Sequence, residues 1–188
     1  MIPMLDTEEA ARRFKAIGEQ IGEPVLGERM STANIGRLMS QNPALAAAWG
    51  HLVGYLLLHN TVNTRTRELV VLRIAWLNRC LYMYSGHIDF SRAIKMTDEE
   101  IFGVREPDKC KAFNEADRAV IAMTDELHAR SVVSAATMAT LQKHFPIPEI
   151  VELLIYVGFW RGMCGVMNTA ELPLEPGRQG WPEGRAPA

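Results

Sequence analysis

An all-helical fold is predicted by three observations. Apolar residues recur at helical spacing along most of the 188 residues, a helix start signal precedes most of these stretches, and no run alternates apolar and polar residues between turns as a strand would. The first helix is expected over Thr7 to Ile17, followed by a glycine-rich break at Gly18, Gly22 and Gly27. Asn42 before Pro43 starts a helix to about His59, since proline suits the first turn. Asn63 or Thr64 caps the next, which runs through Glu68, Leu72 and Trp76 to about Asn78 and is apolar nearly all round from Leu69 to Leu77. A further helix spans about Cys80 to Lys95, and Thr97-x-x-Glu100 is a capping box opening a short one through Ile101. Beyond a polar stretch, Arg105 to Lys111, helices are expected over Asn114 to Ala129, from Ser134 through Leu141, and from Pro148 to about Asn168. Pro173, Pro176, Pro182 and Pro187 then mark a tail, either disordered or lying as an arm on a neighbouring subunit.

Composition narrows the function. With 48% hydrophobic residues the chain can build one domain with a real core. A formal charge of -2 and well-mixed charges leave no basic stripe for nucleic acid. No targeting peptide is visible at Met1 to Asp6, and apolar runs such as Leu153 to Trp160 fall well short of the roughly 20 residues that span a bilayer. Cys80, Cys110 and Cys164 form no C-x-x-C and are odd in number, which fits a reducing compartment, so a cytoplasmic protein with no membrane partner is expected. No phosphate loop or dinucleotide fingerprint occurs, so no cofactor is implied. His51 and His59 lie eight apart on one helical face without a third ligand, so no metal is expected.

The informative stretch is Arg67-Glu68-Leu69-Val70-Val71-Leu72-Arg73-Ile74-Ala75-Trp76-Leu77-Asn78-Arg79-Cys80-Leu81-Tyr82-Met83-Tyr84-Ser85-Gly86-His87, followed by Thr97-Asp98-Glu99-Glu100-Ile101. Farther on come Asp125-Glu126-Leu127-His128, the apolar stretch from Glu152 to Asn168, and Leu172-Pro173-Leu174-Glu175-Pro176-Gly177. Together these resemble the carboxymuconolactone decarboxylase and alkylhydroperoxidase D family, over about 34 to 177. The resemblance implies an alkylhydroperoxidase D-like helical bundle that forms homo-oligomers, trimers or hexamers. Its organisation would be an N-terminal helical arm over 1–33, the family domain over 34–177 and a flexible tail over 178–188. It also implies that Glu68 and His87, on successive helices, flank the active site.

In the peroxidase branch of the family the glutamate is followed by C-x-x-C and then the histidine. Glu68, Cys80 and His87 match three of these positions, while Met83 stands where the second cysteine belongs. On a helix, residues 80 and 87 would lie about 10 Å apart along the axis at about 1.5 Å per residue, and position 83 is the one stacked beside 87. Met83 has no thiol, so the motif's dithiol cycle is not available. Longer family members often carry histidine where Arg161 stands.

Glu68, His87, Tyr82 and Tyr84 remain, together with Arg73 and Arg161 inside apolar helices. The set suits acid–base chemistry, because imidazole titrates near neutrality, a carboxylate orients it, and an arginine can hold an anion. The expected function is therefore cofactor-free decarboxylation, isomerisation or elimination on a small cyclic anionic metabolite, with His87 as acid and Glu68 tuning it. Cys80 is a catalytic candidate in the alternative, a thiol-dependent peroxidase served by an external resolving thiol. Tyr84, Tyr82, Met83, Arg161, Arg73 and Trp76 are the candidate substrate-binding residues. A third alternative keeps the fold for binding alone. Each residue also has a structural reading: Glu68 as a first-turn charge, Arg73 and Arg161 as ion-pair partners, Cys80 as a small hydrophobe, and Tyr82, Tyr84, Trp76 and Trp160 as core.

Overall fold

The structure is a computed structural model that describes residue 2, residues 4–184 and residues 186–187. Among these residues every regular element is helical and no strand occurs. Two compact units are present, one made of residues 1–60 with Thr169–Gly177, the other of Thr61–Asn168 with residues 178–188. This partition cuts the chain at different points from the expected 1–33, 34–177 and 178–188. Arg185 and Ala188 of the tail lie outside the described residues.

In the first unit α1 (Thr7–Gln20) is capped by the Asp6 carboxylate, which accepts from the Glu8 and Glu9 amides at 2.8 and 3.3 Å. Its buried face is Ala10, Phe14, Ile17 and Gly18. α2 (Pro24–Ser31) opens on proline and α3 spans Asn34–Met39. α4 (Pro43–Gly54) is capped by Asn42 and passes into one π-helical turn, Tyr55–His59, so the helix expected through His59 changes pitch at its last turn. Phe14 meets Trp49 edge-on with centroids 6.1 Å apart. The segment 169–177 is tied in where the Asn34 amide donates to Glu175 at 3.0 Å and the Asn34 side chain to the Pro173 carbonyl at 3.1 Å.

The expected glycine-rich break is confined to Gly22, whose φ of 75° is the left-handed conformation that ends α1. Gly18 and Gly27 lie within helices. A Cβ on Gly18 would come 2.6 Å from the Gly27 Cα, so these glycines are the contact through which α1 and α2 pack.

In the second unit α5 (Thr64–Leu77) starts at the Asn63 cap, and Leu69, Val70, Val71, Leu72, Ile74 and Ala75 are all fully buried, as an all-round apolar helix requires. A turn at Asn78–Cys80, with Arg79 at φ 52°, leads into α6 (Leu81–Ala93) and makes a helical hairpin. α7 (Asp98–Gly103) carries the expected capping box, with Thr97 and Glu100 bonded reciprocally. α8 (Glu115–Arg130) has a second box between Asn114 and Asp117, and α9 (Ala135–His144) is capped by Ser134.

Two forked ion pairs join α5 to α8. Arg65 meets Asp117 at 2.6 and 2.9 Å, and Arg73 meets Asp125 at 2.6 and 2.9 Å. Each pair is 52 residues apart in sequence, so the two helices run in the same direction in one register. α10 (Ile147–Thr169) buries Ile150, Leu153, Tyr156, Val157, Trp160, Cys164 and Met167, spaced along one face. By length and composition α10 is apolar enough to cross a membrane, and 44% of its most apolar window is buried inside the protein. Residues of the tail contact α6, since Ser85 donates to the Gln179 carbonyl at 2.7 Å and Trp181 packs on Trp76 and Tyr84.

Gly18→Ala should lower stability by about 1–3 kcal/mol, because the clash is with backbone and no rotamer can relieve it. Thermal unfolding monitored by circular dichroism should then show the midpoint falling by several degrees. An unchanged midpoint would mean that the close approach of α1 and α2 is not needed.

Candidate active site

The α5–α6 hairpin brings Glu68 and His87 together, as the sequence led us to expect. Glu68 is 1% exposed, and its Oε2 lies 2.7 Å from His87 Nδ1. The same oxygen accepts from the Ser91 hydroxyl at 3.3 Å. Ser91 was missed in the sequence reading, although its place one helical turn beyond His87 puts it on the same face. A carboxylate at Nδ1 favours the tautomer with the proton on Nδ1 and directs proton exchange to Nε2. The His87 side chain retains 18% exposure, so the dyad has a buried anchor and a partly accessible working end.

α10 supplies the wall. Trp160 stands edge-on to the His87 ring at 5.7 Å, and Phe90 also meets it edge-on at 6.5 Å. Tyr156, fully buried beside Trp160, has its phenol pushed well up by burial and by the nearby Glu68 charge. Arg67 is 5% exposed and donates to the Thr64 hydroxyl at 3.0 Å.

A second, aromatic cluster forms where Tyr84, Trp76 and Trp181 meet, with centroids 5.5 to 5.7 Å apart. Burial pushes the Tyr84 phenol up to about 12, partly opposed by the Arg105 charge. Its hydroxyl has no hydrogen-bond partner among the described residues. Arg178 lies over the Tyr82 ring at 5.8 Å and against Gly86, where a Cβ would clash with its guanidinium nitrogen.

The two arginines expected to bind substrate have other partners. Arg73 is held by Asp125 and by the Val104 carbonyl at 2.6 Å, which makes it a clamp between elements. Arg161, expected to sit inside an apolar helix, is exposed and donates to the Leu127 carbonyl at 3.2 Å, because its position falls on the solvent side of α10. Met83 and Cys80 are buried together with Cys164 and Met167: Cys80 Sγ lies 3.8 Å from Met167 Sδ, and Cys164 Sγ lies 3.6 Å from Met83 Sδ. The Cys80 thiol is held below its usual range, first by the Cys164 thiol and then by the Met83 amide, with burial opposing, while Cys164 is pushed up. A cavity of about 570 Å³ between α8 and α9, bordered by Phe113, Arg118, Ala136 and Thr140, contains none of these residues.

A helical hairpin joining a buried glutamate to a histidine, closed by a long apolar helix, defines an alkylhydroperoxidase D-like helical bundle. Solved structures with this fold include a peroxidase-related protein from Ralstonia eutropha JMP134, described as an alkylhydroperoxidase core. It is 16% identical, with a TM-score of 0.75 over 93% of this chain and 92% of that one. A peroxidase-related protein from Silicibacter sp. TM1040 is 16% identical, with a TM-score of 0.74 over 93% and 90%. The debrominase Bmp8, in a cysteine-to-alanine form complexed with 2,3,4-tribromopyrrole, is 14% identical, with a TM-score of 0.75 over 94% and 92%. At these identities the likeness is one of fold. No curated protein matches the sequence. Residues 43–126 match the model of the carboxymuconolactone decarboxylase family, which this part of the chain resembles. The matched segment includes Glu68, Cys80 and His87 and is shorter than the expected 34 to 177.

Because the Tyr84 hydroxyl is buried without a partner, Tyr84→Phe should leave stability at neutral pH unchanged or slightly raised. In the folded protein the phenol ionises near 12 rather than 10, so Tyr84 contributes no pH dependence below about 10 and loses stability for the fold as pH rises towards 12. Denaturant unfolding between pH 9 and 11.5 should show a shallower decline in the variant than in the wild type, and identical declines would place Tyr84 in contact with water.

Proposed function

We propose that the protein is a cofactor-free acid–base enzyme acting on a small cyclic anionic metabolite by decarboxylation, isomerisation or elimination. The observation that carries this reading is the 2.7 Å contact between His87 and the buried Glu68. The carboxylate fixes the ring, while Nε2 delivers or removes a proton at the substrate carbon. In a decarboxylation the electron pair left by carbon dioxide spreads into the unsaturated ring, and protonation by His87 completes the step. Trp160 and Phe90 give the imidazole an apolar surround suited to a flat ring.

The proposal includes a cytoplasmic homo-oligomer, a trimer or hexamer. It is supported within one unit by the exposed Leu45, Leu52, Tyr55 and Leu58, and within the other by Val151, Ile155 and Val166 along α10. Light scattering after gel filtration should give three or six times the mass of one chain, and a monomer at micromolar concentration would remove this part of the reading.

A panel of unsaturated lactones and carboxylated rings should reveal turnover that falls about 100-fold or more in His87→Gln, the range expected when a proton-transfer group is lost. Glu68→Gln should lower kcat while both variants keep the helical spectrum of the parent. Turnover indifferent to His87 would overturn the proposal. Hydroperoxide consumption that disappears with Cys80→Ser would replace it with a thiol peroxidase.

A further inference from the structure

The tail beyond Gly177 lays an indole on an aromatic niche of the α5–α6 hairpin. Trp181 packs edge-on against Trp76 at 5.7 Å and lies on Tyr84 at 5.5 Å, its ring tilted by 36° from the phenol. Trp76 and Tyr84 themselves meet at 5.7 Å, so two rings of the hairpin form the niche and the tail supplies the third. We propose that Trp181 is an intramolecular plug in a binding site for a flat aromatic ring bearing a carboxylate, and that such a ligand and the tail exclude each other. The niche shares no residue with the His87–Glu68 dyad and does not depend on the acid–base reading.

The plug leaves one group of the niche unsatisfied. Tyr84 is fully buried, and its hydroxyl has no hydrogen-bond partner among the described residues. An indole N–H only donates, so Trp181 cannot accept the phenol's proton, whereas a carboxylate oxygen can, and a buried donor left unmade is costly. Positive charge stands beside the same niche. The Arg105 guanidinium lies 5.8 Å over the Trp76 ring and 5.4 Å over Phe102, and its charge also acts on the Tyr84 phenol. Ring faces on one side and a planar cation on the other suit a flat ring with an anionic substituent.

The tail is placed so that it can leave. Gln179 and Gly180 are exposed and Trp181 is half-buried. Beside the niche, the Ser85 hydroxyl donates to the Gln179 carbonyl at 2.7 Å, and Arg178 lies over the Tyr82 ring and against Gly86, which has no side chain to push it away. None of these contacts belongs to the ion pairs that join α5 to α8, so the tail can lift while those helices stay packed.

The test is a calorimetric titration of indole-3-acetate, a flat ring with a carboxylate, into the full-length protein and into Trp181→Ala, with cyclohexylacetate as the non-planar comparison. A plug that fills the niche for about nine-tenths of the time weakens the apparent affinity about tenfold, so Trp181→Ala should bind indole-3-acetate about tenfold more tightly than the parent. Adding Trp76→Leu to Trp181→Ala should abolish that binding, and cyclohexylacetate should not bind. Trypsin gives a second measurement on the unaltered protein: cleavage after Arg178, read by mass spectrometry as release of the peptide that begins at Gln179, should speed up when excess indole-3-acetate lifts the tail. Equal affinities in the parent and Trp181→Ala, binding that survives the loss of Trp76, or equal binding of cyclohexylacetate would overturn the proposal. Cleavage at Arg178 that is indifferent to indole-3-acetate would do so too, and this arm holds even where Trp181→Ala does not fold. No readout involves turnover at His87, so this proposal and the acid–base proposal stand or fall separately.

Discussion

A carboxylate that is 1% exposed between two apolar helices is the constraint on which the second unit turns. Taking a charge out of water costs several kcal/mol unless it is well bonded, so Glu68 must find donors inside the hairpin. It finds His87 and Ser91, both on α6, both at the same oxygen. This pairing fixes how α6 lies on α5, and therefore where the turn at Asn78–Cys80 falls and which way Cys80 faces. The dyad and the sulfur group are thus two outcomes of one helical register.

The same economy shapes the walls around the dyad. Trp160 reaches His87 from α10 because α10 buries one continuous face, and Cys164, one turn farther along that face, arrives beside Met83. One long helix therefore contributes to both chemical groups. Its other face carries Val151, Ile155 and Val166 in solvent, which explains why the helix reads as apolar on every side.

Much of this was legible in the residues. Caps at Asn42, Asn63, Thr97, Asn114 and Ser134 marked helix starts because each signal is local, a side-chain oxygen meeting an amide two or three positions away. The Glu68–His87 pair was legible through family resemblance. α3 was not anticipated, since six residues are too few to show a period. The break at Gly18 and Gly27 was misplaced because a glycine that lets two helices touch looks, in sequence, like one that ends a helix. Arg161 was misread because a helix apolar on most sides does not reveal which one faces water. The nearness of Cys164 to Met83 carries no sequence signal at all: it depends on where α10 lies, which long-range packing decides.

The forked pairs Arg65–Asp117 and Arg73–Asp125 work as a two-pin plug. The pins are eight residues apart on each helix, about 12 Å at 1.5 Å per residue. A slide of α8 by one turn along α5 would leave all four charges facing the wrong groups at once, so there is no partly correct arrangement for the folding chain to settle into. Either pin alone would still allow the helices to swivel about it. Together they remove that freedom, and they do so at the edge of the apolar core, where leucines and valines are interchangeable enough to accept several alignments and a pair of charges is not.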